Sequence, residues 1–184
     1  VLVVDRAMLG HHAETSLAAM QVAGLLEWSL WSVFGAFEVG TIARVGWHVG
    51  AKNRAGARLV TWISLSVAMA GGLALTALTP WVTAPGNLGR VFAGASAASL
   101  AEAAGYLRYA LGASPVVFVA IAAAVSLQAS GDSRTPLLIG LGSNVVHVAL
   151  NYVLIGGAFG IAGRGAAGAG MSTAVTFVIE AALG

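Results

Sequence analysis

Between Thr135 and Gly163 the chain carries no Asp, Glu, Lys or Arg. A run of that length can cross a bilayer as a helix, and a lone span has no other form open to it, because lipid offers the backbone no hydrogen-bond partner. Three strongly polar side chains, two amides and an imidazole, interrupt the run. Asn144, His147 and Asn151 are spaced three and four apart, so at about 100° per residue they share one narrow stripe, with Gly140 one turn before them. Polar groups at that depth face other helices or a wet cavity rather than lipid, so this helix is predicted to have an inward face with chemistry on it.

The rest of the chain agrees with a membrane setting. Hydrophobic residues make up 58% and charged residues 9%, with a mean hydropathy of +0.87, where a soluble domain carries about 25% charged residues. The fold class that follows is all-α integral membrane, a polytopic helical bundle. With no cysteine, disulfides, thiolate metal sites and cysteine nucleophiles are excluded together. The net charge of +2 gives no ground for a nucleic-acid partner, and no cofactor-binding motif is present. The glycine-rich run over 156–170 follows no strand and lacks the lysine of a phosphate loop, so close helix packing is the expected use of its small residues. The pattern of a signal peptide is not visible, and the apolar residues at both ends read as parts of spans cut short.

Taken in order, residues 1–9 read as a partial first span interrupted by Asp5 and Arg6, and 10–15 as a polar turn. A second span over 17–42 carries Glu27 and Glu38, which are about 20° off three full turns from each other and so project from one side. Arg44, Lys52, Arg54 and Arg58 follow with no acid among them, which places this segment in the cytoplasm. The third span, 59–79, is flanked by Trp62 and Trp81, about 28 Å apart on a helix, as an interfacial aromatic belt requires. After an outer turn at 80–89, residues 91–107 read as a short interfacial helix because of Glu102, with Arg108 just beyond it. Spans at 109–130, with Pro115 kinking its outer end, and at 136–159 come next, and a truncated span covers about 168–184. The whole is a single helical lobe.

Several of these blocks resemble the multidrug and toxic compound extrusion (MATE) transporters. Asp5 with Met8-Leu9-Gly10 and Leu17-Ala18-Ala19 is similar to their first helix and turn. Arg44-Val45-Gly46, Gly50-Ala51, Arg54 and Ala57-Arg58 resemble their second cytoplasmic turn. Gly131-Asp132-Ser133-Arg134-Thr135-Pro136, Asn151-Tyr152-Val153-Leu154-Ile155 and Gly165-Ala166-Ala167-Gly168-Ala169-Gly170 resemble the block around their fifth helix. The resemblance implies two six-helix halves around a central cavity, of which this chain is most of the first. It implies an antiporter in a bacterial inner membrane that exports organic, often cationic, compounds in exchange for protons, or less readily sodium. The partners expected are the bilayer, a small organic substrate, the coupling ion and the second half of the same protein.

Asp5 sits where the family's first helix carries an ion-coupling aspartate, and a carboxylate at membrane depth changes charge when it takes up a proton. A salt bridge to Arg6 or a solvated helix end is the alternative. His147 and Asn151 occupy positions where an asparagine and an aspartate are expected in sodium-coupled members. Without that acid a hard cation has fewer oxygens to bind, whereas a histidine can take a proton near neutral pH. Plain interhelical hydrogen bonding by Asn144, His147 and Asn151 competes with that role. Glu27, Trp31 and Asn144 are the candidates for lining a substrate cavity, with Trp28 and Phe34 offering further aromatic faces to a cation, against the alternatives that Glu27 pairs with another helix and Glu38 reaches the interface. His11 and His12 invite a metal reading, but nothing nearby supplies further ligands. A lipid-linked saccharide flippase of the same superfamily would want arginines in its spans. A membrane enzyme would need a clustered nucleophile, base or metal set, which is absent, and a structural subunit would leave the buried acids and amides without a purpose.

Overall fold

The computed structural model describes residues 2–184, the side chains of Leu2 and His12 excepted. It consists of α1 (Leu2–His12), α2 (Glu14–Gly50), α3 (Arg54–Val82), α4 (Pro85–Val91), α5 (Ala97–Gly112), α6 (Ser114–Ala129), α7 (Arg134–Gly156) and α8 (Gly165–Leu183), with no strand among the described residues. Four of these, α2, α3, α7 and α8, are long and apolar enough to cross a membrane, and α5 with α6 forms a fifth such unit bent by 52°. This is the all-helical membrane bundle that composition requires.

The basic segment after the second span is more helical than its charges suggest. Helix α2 is 37 residues long, about 55 Å at 1.5 Å per residue, so it carries Arg44 well past one hydrocarbon thickness. Only Ala51–Asn53 turn the chain. Lys52 takes a left-handed φ of 54°, and the Asn53 side chain caps α3 by accepting the Gly56 N–H at 2.9 Å. At the start of α7, Asp132 Oδ1 accepts the N–H groups of Arg134 at 3.1 Å and Thr135 at 2.9 Å. The Thr135 hydroxyl and these backbone donors hold the Asp132 carboxyl below the usual carboxylate range.

The segment expected at the interface lies instead in the heart of the lobe. Ala103, Ala104, Tyr106, Leu107, Ala110 and Leu111 of α5 are all buried, packed between α2, α3 and α8. Glu102 is held by protein rather than by water: Ser16 Oγ donates to it at 2.5 Å and Thr15 Oγ1 at 3.2 Å. Arg108 is exposed.

The bend between α5 and α6 follows from Pro115. Its nitrogen cannot donate to the carbonyl of Leu111, four residues earlier, and the break leaves that carbonyl and its neighbour without helical partners. Thr76 of α3 supplies the missing donor, reaching Leu111 O at 3.3 Å and Gly112 O at 3.2 Å. One turn earlier on α3, Gly72 allows this approach: a Cβ there would stand 2.3 Å from Pro115 Cα. Gly72→Ala is therefore expected to destabilise the lobe by about 1–3 kcal/mol, the usual cost of overpacking, read as a lowered Tm of the purified protein. An unchanged Tm would mean that α3 and the bend can separate freely.

Helix α8 is inserted just as closely. The Arg164 N–H returns to Leu154 O at 2.8 Å, and a Cβ on Gly168 would fall 2.1 Å from the same oxygen, so the small residues at the start of α8 let it lie against α7. Elsewhere the core is filled by Leu9, Met20, Leu107, Leu111, Val117 and Ile155. Phe34, expected to face a cavity, stacks in this core on Phe118 with ring centroids 4.2 Å apart. Trp62 and Trp81 stand on the exposed surface of α3.

Candidate ion-coupling site

Asp5 is fully buried on α1, and its Oδ1 meets two side chains of α7. His147 Nε2 lies 2.6 Å away, and the Asn151 amide donates to the same oxygen at 2.6 Å. Because His147 and Asn151 are one turn apart, Asn151 Nδ2 also stands 3.1 Å from His147 Nε2, closing a triangle. On its other edge, His147 Nδ1 is 3.1 Å from Thr176 Oγ1 of α8. All four side chains have no solvent exposure. Asp5 Oδ2 and Asn151 Oδ1 are buried acceptors without a protein donor.

The carboxylate is thus neither solvated nor paired with Arg6. Its one ion-pair partner among the described residues is His147; Arg6, the next residue along a helix, points about 100° away. A charge taken fully out of water is tolerated only if it is paired or neutralised, and the triangle offers both routes.

Asn144 does not join the cluster. It is exposed, and the buried row on α7 runs Ser143, His147, Asn151, Ile155. That row follows a ridge of residues four apart, the direction along which a neighbouring helix packs when ridges interlock. Ser143 takes the place foreseen for Asn144, and its hydroxyl reaches the Glu180 carboxylate of α8. Strict four-residue spacing would have found Ser143; the side of the helix turned to α8 depends on the crossing direction, which spacing does not contain.

Glu27 is buried on α2, and the Tyr106 phenol donates to its Oε2 at 2.8 Å. Oε1 has no hydrogen-bond partner and is not among the enclosed atoms. Glu27 lines a cavity of about 190 Å³ with Trp28, Trp31, Tyr106 and Phe177 together with Gly24 and Thr173. Trp31 meets Phe177 edge to face, with centroids 5.8 Å apart. Neither Glu38 nor Asn144 lines this space. The carboxylate of Glu38 makes no hydrogen bond or ion pair among the described residues.

The His11–His12 pair carries the metal reading no further: the His12 side chain lies outside the described residues, and no group of three His, Asp or Glu able to hold a metal ion occurs among them. Two residues passed over in the sequence complete these sites, Thr176 and Tyr106. A threonine in an apolar helix gives no signal of its own, and Tyr106 lies on α5, whose Glu102 and Arg108 suggest an interfacial helix.

The MatE family model matches residues 1–153. The chain is 28% identical over 179 residues to the probable multidrug resistance protein NorM of Thermotoga maritima, covering 97% of this chain and 38% of that protein. It is 26% identical over 175 residues to the uncharacterized transporter YisQ of Bacillus subtilis, covering 95% and 38%. Among solved structures, an outward-facing multidrug resistance MATE family transporter of the MOP superfamily superposes with a TM-score of 0.85 at 21% identity, over 98% of this chain and 38% of that one. An inward-facing structure of such a transporter gives 0.84 at 19%, over 99% and 40%. The chain therefore spans about two fifths of the length of these relatives. With the family matched over most of its residues and the helical architecture shared throughout, this multi-pass membrane chain belongs to the MATE family of transporters.

Proposed function

We propose that the chain is one lobe of a two-lobed secondary exporter in a bacterial inner membrane, which expels organic, often cationic, compounds in exchange for protons. The observation that carries this reading is the 2.6 Å contact between Asp5 Oδ1 and His147 Nε2. An imidazole exchanges its proton in water near neutrality and a carboxyl more than two units lower, and here the two groups share one buried position on two different helices. Taking up or releasing a proton there alters how strongly α1 is held to α7, which is the means by which a bound ion biases a choice between two packings. A full swing from 1:99 to 99:1 needs about 5.5 kcal/mol of differential affinity, or about four units of proton affinity at about 1.36 kcal/mol each. A site that is dry in one packing and wet in the other can supply that much. One carboxylate beside an imidazole suits a proton better than sodium, which prefers several oxygens.

Two further observations support the scheme. The lobe superposes equally well on inward-facing and outward-facing relatives, as a rigid unit that rocks would. The cavity beside Glu27 and Trp31 lies on the same lobe as the proposed proton site, and its aromatic walls and buried acid suit a cation. The test uses the complete transporter in sodium-free proteoliposomes. An imposed pH gradient alone is expected to drive uptake of ethidium with counter-movement of protons. Uptake that ignores the pH gradient and appears only on adding sodium would overturn the proposal.

A further inference from the structure

His147 is held by both ring nitrogens, and which of them carries the ring hydrogen depends on where Thr176 directs its single hydroxyl hydrogen. The Thr176 hydroxyl has one hydrogen, which it donates to the Ser172 carbonyl one turn earlier at 2.8 Å. Only its lone pairs remain to face His147 Nδ1 at 3.1 Å, so Nδ1 carries the ring hydrogen. In a neutral imidazole Nε2 is then a bare acceptor, and it faces Asp5 Oδ1 at 2.6 Å. Two bare acceptors at that distance repel each other, whereas a proton between them makes a short charge-assisted hydrogen bond. The Asn151 amide does not remove the conflict. Its nitrogen lies 2.6 Å from Oδ1 and 3.1 Å from Nε2, so it can donate to either, but neither of its hydrogens lies between the two.

We infer that Thr176 is a positioning residue that holds His147 in its Nδ1–H form, and that the contact between Nε2 and Oδ1 consequently binds one proton. This rests on the proton-exchange reading and says which atoms take the proton. The count is the same whether that proton is written on the carboxyl, with a neutral ring, or on the ring, with a carboxylate. Uptake forms one O–H or N–H bond with a proton from water, and release breaks it. After release the pair can avoid repulsion in two ways. It can separate, moving α1 from α7. Alternatively, the ring hydrogen can pass to Nε2, and Thr176 must then turn its hydroxyl from Ser172 to Nδ1. The second route exchanges the Thr176–Ser172 bond for one to Nδ1, whereas the first is the movement an exporter needs.

Thr176→Val removes the acceptor for Nδ1–H. The Nε2–H form then satisfies Asp5 without an added proton, and the loaded form leaves Nδ1–H buried and unpaired. An unpaired buried donor weakens the loaded form about tenfold, so in the complete transporter the pH for half-maximal exchange should move about one unit to the acid side. Thr176→Ser keeps the hydroxyl and should restore the wild-type profile. The other charged and titratable groups around the lobe's interior, Arg6 on α1, Glu27 on α2, Tyr106 on α5 and Glu180 on α8, are the same in all three proteins. Nitrogen-15 NMR of histidine-labelled protein reads the ring directly: His147, assigned by loss of its signal in His147→Asn, should be Nδ1-protonated in the wild type and Nε2-protonated in Thr176→Val at high pH. Thr176→Val with the wild-type profile and ring state would overturn the inference. So would a Thr176→Ser variant shifted as far as Thr176→Val, since that would make the methyl group responsible. If exchange proves indifferent to pH in the wild type, proton coupling fails while the NMR result still decides the role of Thr176.

Discussion

Asp5→Asn in the complete transporter is expected to lower pH-gradient-driven export roughly 100-fold, the upper range of coupling free energies between sites, while leaving the lobe folded. The substitution is nearly isosteric and keeps an oxygen that can accept from Asn151, so α1 retains a polar contact with α7. It removes the group that can alternate between neutral and charged forms at this position. Since a ligand shifts an equilibrium only through its different affinities for two states, a lobe that binds no proton here has nothing to couple. Exchange of labelled for unlabelled substrate, which needs no net ion movement, should continue. Proteoliposomes separate the two outcomes: exchange retained with gradient-driven uptake lost supports the role, and gradient-driven uptake at the wild-type rate removes Asp5 from it.

Glu27→Gln should weaken binding of tetraethylammonium to the complete transporter roughly 30-fold. Tyr106 occupies one carboxylate oxygen; Trp31 Nε1 and Thr173 Oγ1 are enclosed. What the cavity presents to a ligand is therefore one acidic oxygen among aromatic and aliphatic walls. A quaternary ammonium has no N–H to satisfy and fits those conditions, whereas a primary ammonium brings three donors to a place with one acceptor and would lose about 1–3 kcal/mol for each left unpaired. A unit charge about 4 Å from the carboxylate gains about 4 kcal/mol at an effective dielectric of about 20. With about half of that offset by desolvation, about 2 kcal/mol remains, hence the 30-fold figure. Trp31→Leu should cost a further share through the lost cation–π contact, about 1 kcal/mol, and Trp31→Phe should recover part of it. Titration calorimetry in detergent checks each value. Equal losses for tetraethylammonium and for a neutral ligand of the same size would mean that Glu27 serves only as a hydrogen-bonded link to Tyr106.

The parts of this site that could be read in advance are those carried by local periodicity. His147 and Asn151 are one turn apart, and an apolar helix with two such residues has to turn them inward. Asp5 stood out because a carboxylate in an apolar helix is costly, but its partners lie 142 and 146 residues away, and no spacing rule spans that distance. Only the family resemblance put them together. Thr176 and Tyr106 escaped because their side chains have unremarkable local uses: a helical threonine commonly bonds its own preceding turn, as Thr176 does with Ser172, and its second contact is purely tertiary. The reverse error occurred at Glu102 and Arg108, where charge was equated with water. Glu102 is held by two hydroxyls from the start of α2, and α5 lies in the core because its alanines let three neighbours approach.

The distance along the chain between Asp5 and its partners has a bearing on how the protein is made. At a synthesis rate of about 5–20 residues per second, the ribosome adds the residues separating Asp5 from His147 in roughly 7 to 28 s. Over that interval the first helix has no access to the imidazole and amide that later accommodate its carboxylate. A neutral carboxyl, or Arg6 beside it in a partly hydrated position, has to carry the helix through the wait. The same acid thus meets two settings, insertion, where a charge at membrane depth is a liability, and the finished lobe, where on the proposed reading the capacity to become charged is its use.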